Sequence, residues 1–135
     1  MKAVDTNILA RFFVDDPDDP EAARQRPRAL RVMSGNVFVS ITVLLELEWV
    51  LRGFYSLSPT EVRTVLRALC GLDNVTVEER ASALTALDWH ERGIDLADAL
   101  HLARSGRCEA FVTFDRQLAR GATRARAAPR VELAR

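Results

Sequence analysis

The sequence predicts an α/β protein in which helices cover both faces of a mostly parallel sheet. Short apolar segments, such as residues 37–41 and 110–113, alternate with longer segments of helical periodicity. Strands that are separated by helices favour parallel pairing, with the sheet covered on both sides. The chain has 135 residues, 48% of them hydrophobic, which suits one domain with one core. We therefore expect a single domain over residues 1–135.

Periodicity and end signals predict five strands and seven helices in alternation. The strands are expected at residues 3–5, 37–41, 75–77, 110–113 and 131–133. The helices are expected at residues 8–14, 20–34, 43–53, 59–71, 79–92, 96–105 and 116–121.

Several helix starts carry recognisable capping residues. Asp19 precedes Pro20, and proline suits the first position of a helix. Ser58 is followed by Pro59 and, three residues on, by Glu61, which is the pattern of a capping box. Two further expectations concern helix interiors and starts. Thr42 is expected to cap the third helix, and Pro27 is expected to kink or split the second.

Composition excludes several classes of protein. No apolar run approaches the roughly 18 residues of a membrane span, and the first residues do not form a secretory signal. Cys70 and Cys108 are too few for a disulfide framework and have no metal-binding spacing. We expect a soluble, cytoplasmic protein. Nineteen basic and nineteen acidic residues cancel, which excludes a uniformly basic nucleic-acid binder.

Four acidic side chains are predicted to meet at one edge of the sheet. Asp5 ends the first strand, Asp115 follows the fourth, Glu46 follows the second, and Asp98 lies in the first turn of a helix. Two unit charges 4 Å apart repel by about 4 kcal/mol at an effective dielectric near 20, so we expect either that some of these acids are protonated or that a cation neutralises them. Oxygen ligands without paired Cys or His favour Mg²⁺ or Mn²⁺.

Each acid also has an ordinary structural explanation. Asp115 and Asp95 can be helix N-caps, Asp5 can be a polar strand end, and Glu46 can pair with an arginine. Glu48 lies two residues beyond Glu46, so only one of the two can face the site. The residues alone leave these alternatives open.

The chain resembles the PIN-domain ribonucleases, and among them the VapC-type toxins of bacterial toxin–antitoxin pairs. The resemblance covers residue 2 to about 120 and rests on four segments in the same order and spacing. They are residues 4–9, 39–42 with Glu46, 96–103 and 112–115.

The resemblance implies a PIN-like α/β/α sandwich and a Mg²⁺- or Mn²⁺-dependent endoribonuclease. Such toxins cut structured RNA such as tRNA or rRNA, inhibit translation, act as homodimers and are neutralised by a VapB-type antitoxin. Residue by residue, Asp5, Glu46, Asp98 and Asp115 match the catalytic acids. As hypotheses, Asp5, Asp98 and Asp115 bind the metal, and Glu46 orients or deprotonates the attacking water. The positions that match the polar residues supporting these carboxylates are Thr6, Asn7 and Thr113.

Two other features bear on function. Arg116 and Arg120 lie one turn apart after Asp115 and are candidates for phosphate contact, although an exposed solvated helix face explains them equally well. The aromatic residues around the first and third helices, including Trp49 and Phe54, are expected mostly in the core, with any exposed subset forming a groove for an antitoxin helix.

Alternative functions also remain. A degenerate PIN module would bind RNA or protein without catalysis. Less well supported is a Mg²⁺-dependent phosphohydrolase, because Asp5 has no acidic neighbour and Lys2 is the only lysine.

Overall fold

The computed structural model describes residues 1–135, which form two compact units. The first unit is Met1–Arg80 and the second is Ala81–Arg135. In chain order the elements are β1 (Lys2–Ala3), α1 (Thr6–Phe13), α2 (Pro20–Met33), β2 (Val37–Val39), α3 (Ile41–Gly53), α4 (Pro59–Gly71), β3 (Val75–Val77), α5 (Arg80–Glu91), α6 (Leu96–Ala103), β4 (Ala110–Thr113), α7 (Arg116–Ala125) and β5 (Arg130–Leu133).

The first unit is built on a three-stranded parallel sheet in the order β1-β2-β3. Val37 and Val39 of β2 and Val75 and Val77 of β3 are buried, so the central and last strands contribute apolar side chains to the core. Fully buried leucines from the helices complete that core. They include Leu9 of α1, Leu44, Leu47 and Leu51 of α3, and Leu66 and Leu69 of α4.

One local prediction for the first unit is wrong, and one alternative of a second prediction is excluded. Helix α3 is capped by Ser40, whose Oγ accepts a hydrogen bond from the backbone N–H of Val43 at 3.3 Å, and not by Thr42. The helix therefore begins at Ile41, and β2 ends at Val39. Pro27 does not split α2, which is one helix from Pro20 to Met33.

The second unit contains α5 from Ala81 onward, α6, α7 and a two-stranded parallel sheet. Strand β4 pairs with β5 in the register Ala110 with Arg130 to Thr113 with Leu133. Helix α7 extends to Ala125, four residues beyond the predicted end at Gly121. It ends there because Arg126 adopts a left-handed conformation that closes the helix. The core of the second unit includes Leu87, Leu96 and Leu102.

The predicted fold class is confirmed. The protein is a helix-rich α/β structure, and every strand pair in it is parallel. The single-domain boundary at residues 1–135 stays a prediction. No helix combines the length and the hydropathy that crossing a bilayer requires.

The capping box of α4 has the predicted geometry and can be tested by mutation. The backbone N–H of Glu61 donates to Ser58 Oγ at 3.2 Å, and the Ser58 N–H donates to Glu61 Oε1 at 2.9 Å. These bonds hold the pKa of Glu61 below its ordinary value. We expect Ser58→Ala to lower the free energy of unfolding by about 1 kcal/mol in urea denaturation, because a helix N–H loses its acceptor.

Ser58→Asp is the matched control, since aspartate also accepts at the N-cap, and it should unfold close to the wild-type urea concentration. No loss in Ser58→Ala, or an equal loss in Ser58→Asp, would contradict the stabilising role of the side-chain acceptor.

Candidate active site

Asp5 begins the first helix directly after β1. Its Oδ1 accepts a hydrogen bond from the backbone N–H of Ile8 at 3.2 Å, which makes Asp5 the N-cap of α1. The start of a helix favours negative charge, which suits a carboxylate at this position. The side chain is exposed and Oδ2 takes no part in the cap. One oxygen of Asp5 thus remains available to a ligand.

Glu46 is held by a residue adjacent to Asp5. The hydroxyl of Thr6 is buried and donates a hydrogen bond to Glu46 Oε1. This contact links the first turn of α1 to the middle of α3 within the first unit. It leaves Glu46 Oε2 without a partner in an exposed position. Thr6 therefore orients the acid of α3 at the Asp5 end of α1.

Glu48 occupies a different environment from Glu46. Its residue is only 4% exposed, and its Oε1 pairs with Arg52 Nε at 2.9 Å, one turn along α3. A buried and paired carboxylate is not free to bind a ligand. The structure thus distinguishes the two glutamates, and Glu46 is the available acid of α3.

Three aspartates of the second unit line one cavity of about 230 Å³. Asp95 caps α6, since its Oδ2 accepts from the Asp98 N–H at 3.4 Å. Asp115 caps α7, since its Oδ1 accepts from the N–H groups of Gln117 and Leu118 at 2.9 and 3.0 Å. The Asp98 carboxylate makes no hydrogen bond within the chain. Free carboxylate oxygens therefore collect in this cavity.

The electrostatics of the cavity disfavour the ionised form of Asp98. Burial raises the pKa of the Asp98 carboxyl above its ordinary value, and the Asp95 charge raises it further. His101 has the opposite effect, and Asp115 adds to the increase. A group with a pKa raised by burial and neighbouring carboxylates is a candidate for a functional role.

Thr113 supports the second unit's site through the backbone. Its Oγ1 accepts a hydrogen bond from the Asp115 N–H at 3.0 Å, which fixes the residue where β4 joins α7. The predicted contact of its hydroxyl with a carboxylate stays a prediction. Asn7 is exposed on α1 and its amide makes no hydrogen bond, so the structure gives it no supporting partner.

The donors in the cavity fit a hard divalent cation. All are carboxylate oxygens, and Asp98 and Asp115 both keep oxygens that no protein group uses. Within either unit, no three His, Cys, Asp or Glu side chains form a group that could hold a metal. Mg²⁺ does not require one, because it is commonly bound by one or two carboxylates and keeps several waters.

A cation from the chain itself does not neutralise the cavity. Arg124 lines it together with the three aspartates, yet it forms no ion pair with any of them. No protein cation therefore forms an ion pair with Asp98 or Asp115. This leaves the cavity open to a cation from solution.

The comparison with known proteins decides the family. The sequence matches the PIN domain over residues 2–123, a range that includes every candidate acid. The chain belongs to the PIN domain family. PIN domains are generally metal-dependent nucleases that use divalent metals, and the helix-rich α/β structure agrees with the PIN α/β/α fold. No curated protein matches the chain.

The predicted site residues fall in both units of this PIN protein. Asp5, Thr6, Asn7 and Glu46 lie in the first, and Asp98, Thr113 and Asp115 lie in the second. Their joint action stays a prediction. The sequence did not place two of the cavity residues at the site. Asp95 was interpreted only as a helix cap, and Arg124 was missed, although its spacing of four from Arg120 along α7 was a signal.

The raised pKa of Asp98 predicts a stability change in metal-free protein. In a chelating buffer near neutral pH, Asp98→Asn should raise the melting temperature, because the folded chain no longer pays for an ionised carboxylate at this position. The folded-state pKa lies above the unfolded value near 3.8, so the penalty is present above the raised pKa and absent below pH 3.8. Circular dichroism melts at several pH values measure it.

Asp73→Asn, an exposed acid of the first unit, is the control and should leave the melting temperature unchanged. A lower melting temperature for Asp98→Asn near neutral pH would contradict the assignment of an unfavourable charge to Asp98.

Proposed function

We propose that this PIN protein is a divalent-metal-dependent endoribonuclease of the VapC toxin type. It would cut structured RNA such as tRNA or rRNA and so inhibit translation. The observation that supports this most directly is the acidic cavity of the second unit, where Asp98 and Asp115 present carboxylate oxygens without protein partners. A charge of this kind suits Mg²⁺ or Mn²⁺, and the family membership favours a nuclease reaction.

The chain's own residues have distinct parts in the proposed reaction. Asp98 and Asp115 would hold the cation, which when bound neutralises phosphate oxygens and makes water more acidic. Asp5, the third predicted metal ligand, has one oxygen outside its cap. Glu46 would accept a proton from the attacking water through Oε2, while Thr6 holds Oε1 in place.

Partners and location are part of the same proposal. A cognate VapB-type antitoxin would neutralise the toxin, the toxin would form a homodimer, and a target in translation implies the cytoplasm. Trp49 and Phe54 of the α3 end are 62% and 67% exposed, contrary to the expectation that most aromatics there lie in the core. Exposed large apolar side chains favour a protein-binding surface in this region.

Cleavage of RNA by single variants tests the proposed reaction. Wild-type protein should cut pooled tRNA and rRNA with Mn²⁺ or Mg²⁺ and lose this activity in EDTA. Asp5→Asn, Asp98→Asn and Asp115→Asn should abolish cleavage, because each removes a charged oxygen but keeps the shape of the side chain. Glu46→Gln should slow it on the order of 10²- to 10⁴-fold, the usual contribution of a general base.

Asp73→Asn should cut RNA at the wild-type rate. RNA binding without cleavage at any divalent-metal concentration would instead indicate a degenerate PIN module. Hydrolysis of small phosphate esters with RNA left intact would indicate a phosphohydrolase. Either result would contradict the proposed activity.

A further inference from the structure

A long groove lies on the second unit between helix α7 and strand β5. Its volume is about 1230 Å³, and it runs past β5 to the last residues of the chain. The α7 side contributes Arg120, Thr123 and Arg124, and the other side includes Arg130 and Arg135. Residues 124–135 lie outside the range matched to the PIN domain, so family membership assigns no role to the groove residues from Arg124 onward.

The groove is a cationic surface with unpaired charges. Arg130 is neutralised by Glu132 and Glu109, with nitrogen–oxygen distances of 2.5 and 3.7 Å. Arg120 and Arg124 form no ion pair with any acid of the chain. They lie four residues apart on α7, which places them on the same side of the helix and about 6 Å apart along its axis. Two free guanidinium groups therefore follow one line along the groove.

The groove also has apolar surface beside these charges. Val112 of β4 and Leu133 of β5 line it and are 60% and 40% exposed. A surface with both free cations and exposed apolar groups suits a polymer that has anionic groups and apolar faces. A single phosphate ion would fill only a small part of such a volume.

Arg124 connects the groove to the acidic cavity. It lines the groove together with Arg120, and it lines the cavity together with Asp98 and Asp115. The two depressions therefore adjoin each other at one side chain within the second unit. The groove and the carboxylates of the cavity therefore lie on either side of the Arg124 side chain.

We propose that this groove binds the phosphate backbone of the RNA substrate beside the cleavage position, with Arg120 and Arg124 as the phosphate contacts. This assignment rests on the proposed ribonuclease function and specifies how the substrate is held. Arginine matches phosphate oxygens with a planar fork of donors. An acidic protein segment would satisfy the charges too, but the shared boundary with the acidic cavity favours the substrate.

The salt dependence of RNA binding tests the groove without requiring cleavage. A fluorescein-labelled single-stranded RNA is titrated with full-length protein in EDTA, and anisotropy gives the affinity between about 50 and 200 mM salt. Each phosphate contact on a single strand contributes about 0.7 to the slope of log K against log salt. Arg120→Gln/Arg124→Gln should therefore reduce the slope by about 1.4. This corresponds to about 25-fold weaker binding near 0.1 M salt if the lines meet near 1 M.

The chain offers a matched control on α2. Arg24 and Arg28 are also exposed, four residues apart and without ion pairs, and they lie close in sequence to the acidic segment 15–21. Arg24→Gln/Arg28→Gln removes the same charge from the protein and should leave the slope unchanged. Thermal melts of both double variants check that the fold is retained.

Three results would overturn the groove assignment. Equal slopes for Arg120→Gln/Arg124→Gln and wild type would do so, as would equal losses in the two double variants. The third such result is that Arg120→Gln/Arg124→Gln loses affinity for an acidic partner protein while its affinity for RNA is unchanged. Metal-dependent cleavage by wild type, measured separately on the same RNA, shows whether the ribonuclease function itself stands in each of these cases.

Discussion

Aspartates that cap helices with one carboxylate oxygen and keep the other free are the constraint on which the site depends. Asp5 caps α1, Asp95 caps α6 and Asp115 caps α7, each through a single oxygen. A helix start needs an acceptor for its unpaired N–H groups and favours negative charge. The same position therefore satisfies the backbone and favours a negative charge. The capping explanation of these acids is confirmed, and their part in metal binding stays a prediction.

Asp98 is the exception among these aspartates, because it caps no helix. It lies inside the first turn of α6 and caps nothing, and its carboxylate is partly buried beside Asp95 and Asp115. Such a group is unfavourable in the protein alone, which its raised pKa reflects. A bound cation would make the ionised form of Asp98 favourable, because its positive charge stabilises the carboxylate. The cost of Asp98 in the free protein is thus consistent with a gain when metal binds.

Much of the fold could be predicted because its signals are local. The Ser58 capping box, the strand at residues 75–77 and the parallel pairing follow from capping chemistry and apolar patterning. Thr42 was wrongly chosen as a cap because Ser40 and Thr42 offer similar hydroxyls. Only the end of β2 at Val39 decides between them.

The candidate site residues were chosen on similar local signals, and their joint role stays a prediction. Acids at the ends of strands can be recognised from their position in the sequence, whereas Glu46 and Glu48 differ only in the side chains that contact them. The Thr6 hydroxyl comes from α1 and Arg52 from the next turn of α3, and the distinction between the two glutamates needs those contacts. The exposure of Trp49 and Phe54 and the groove beside α7 likewise depend on packing, which the amino-acid pattern does not specify.

The double use of Asp115 can be measured directly, by Mn²⁺ binding in electron paramagnetic resonance titrations combined with thermal melts. Asp115→Asn keeps an oxygen for the N–H groups of Gln117 and Leu118 but loses the negative charge, whereas Asp115→Ala loses both. We expect the Asn variant to melt like wild type and to lose Mn²⁺ binding, and the Ala variant to lose Mn²⁺ binding and to melt earlier. Wild-type Mn²⁺ affinity in Asp115→Asn would contradict the central claim that the oxygen left free by the cap binds the metal.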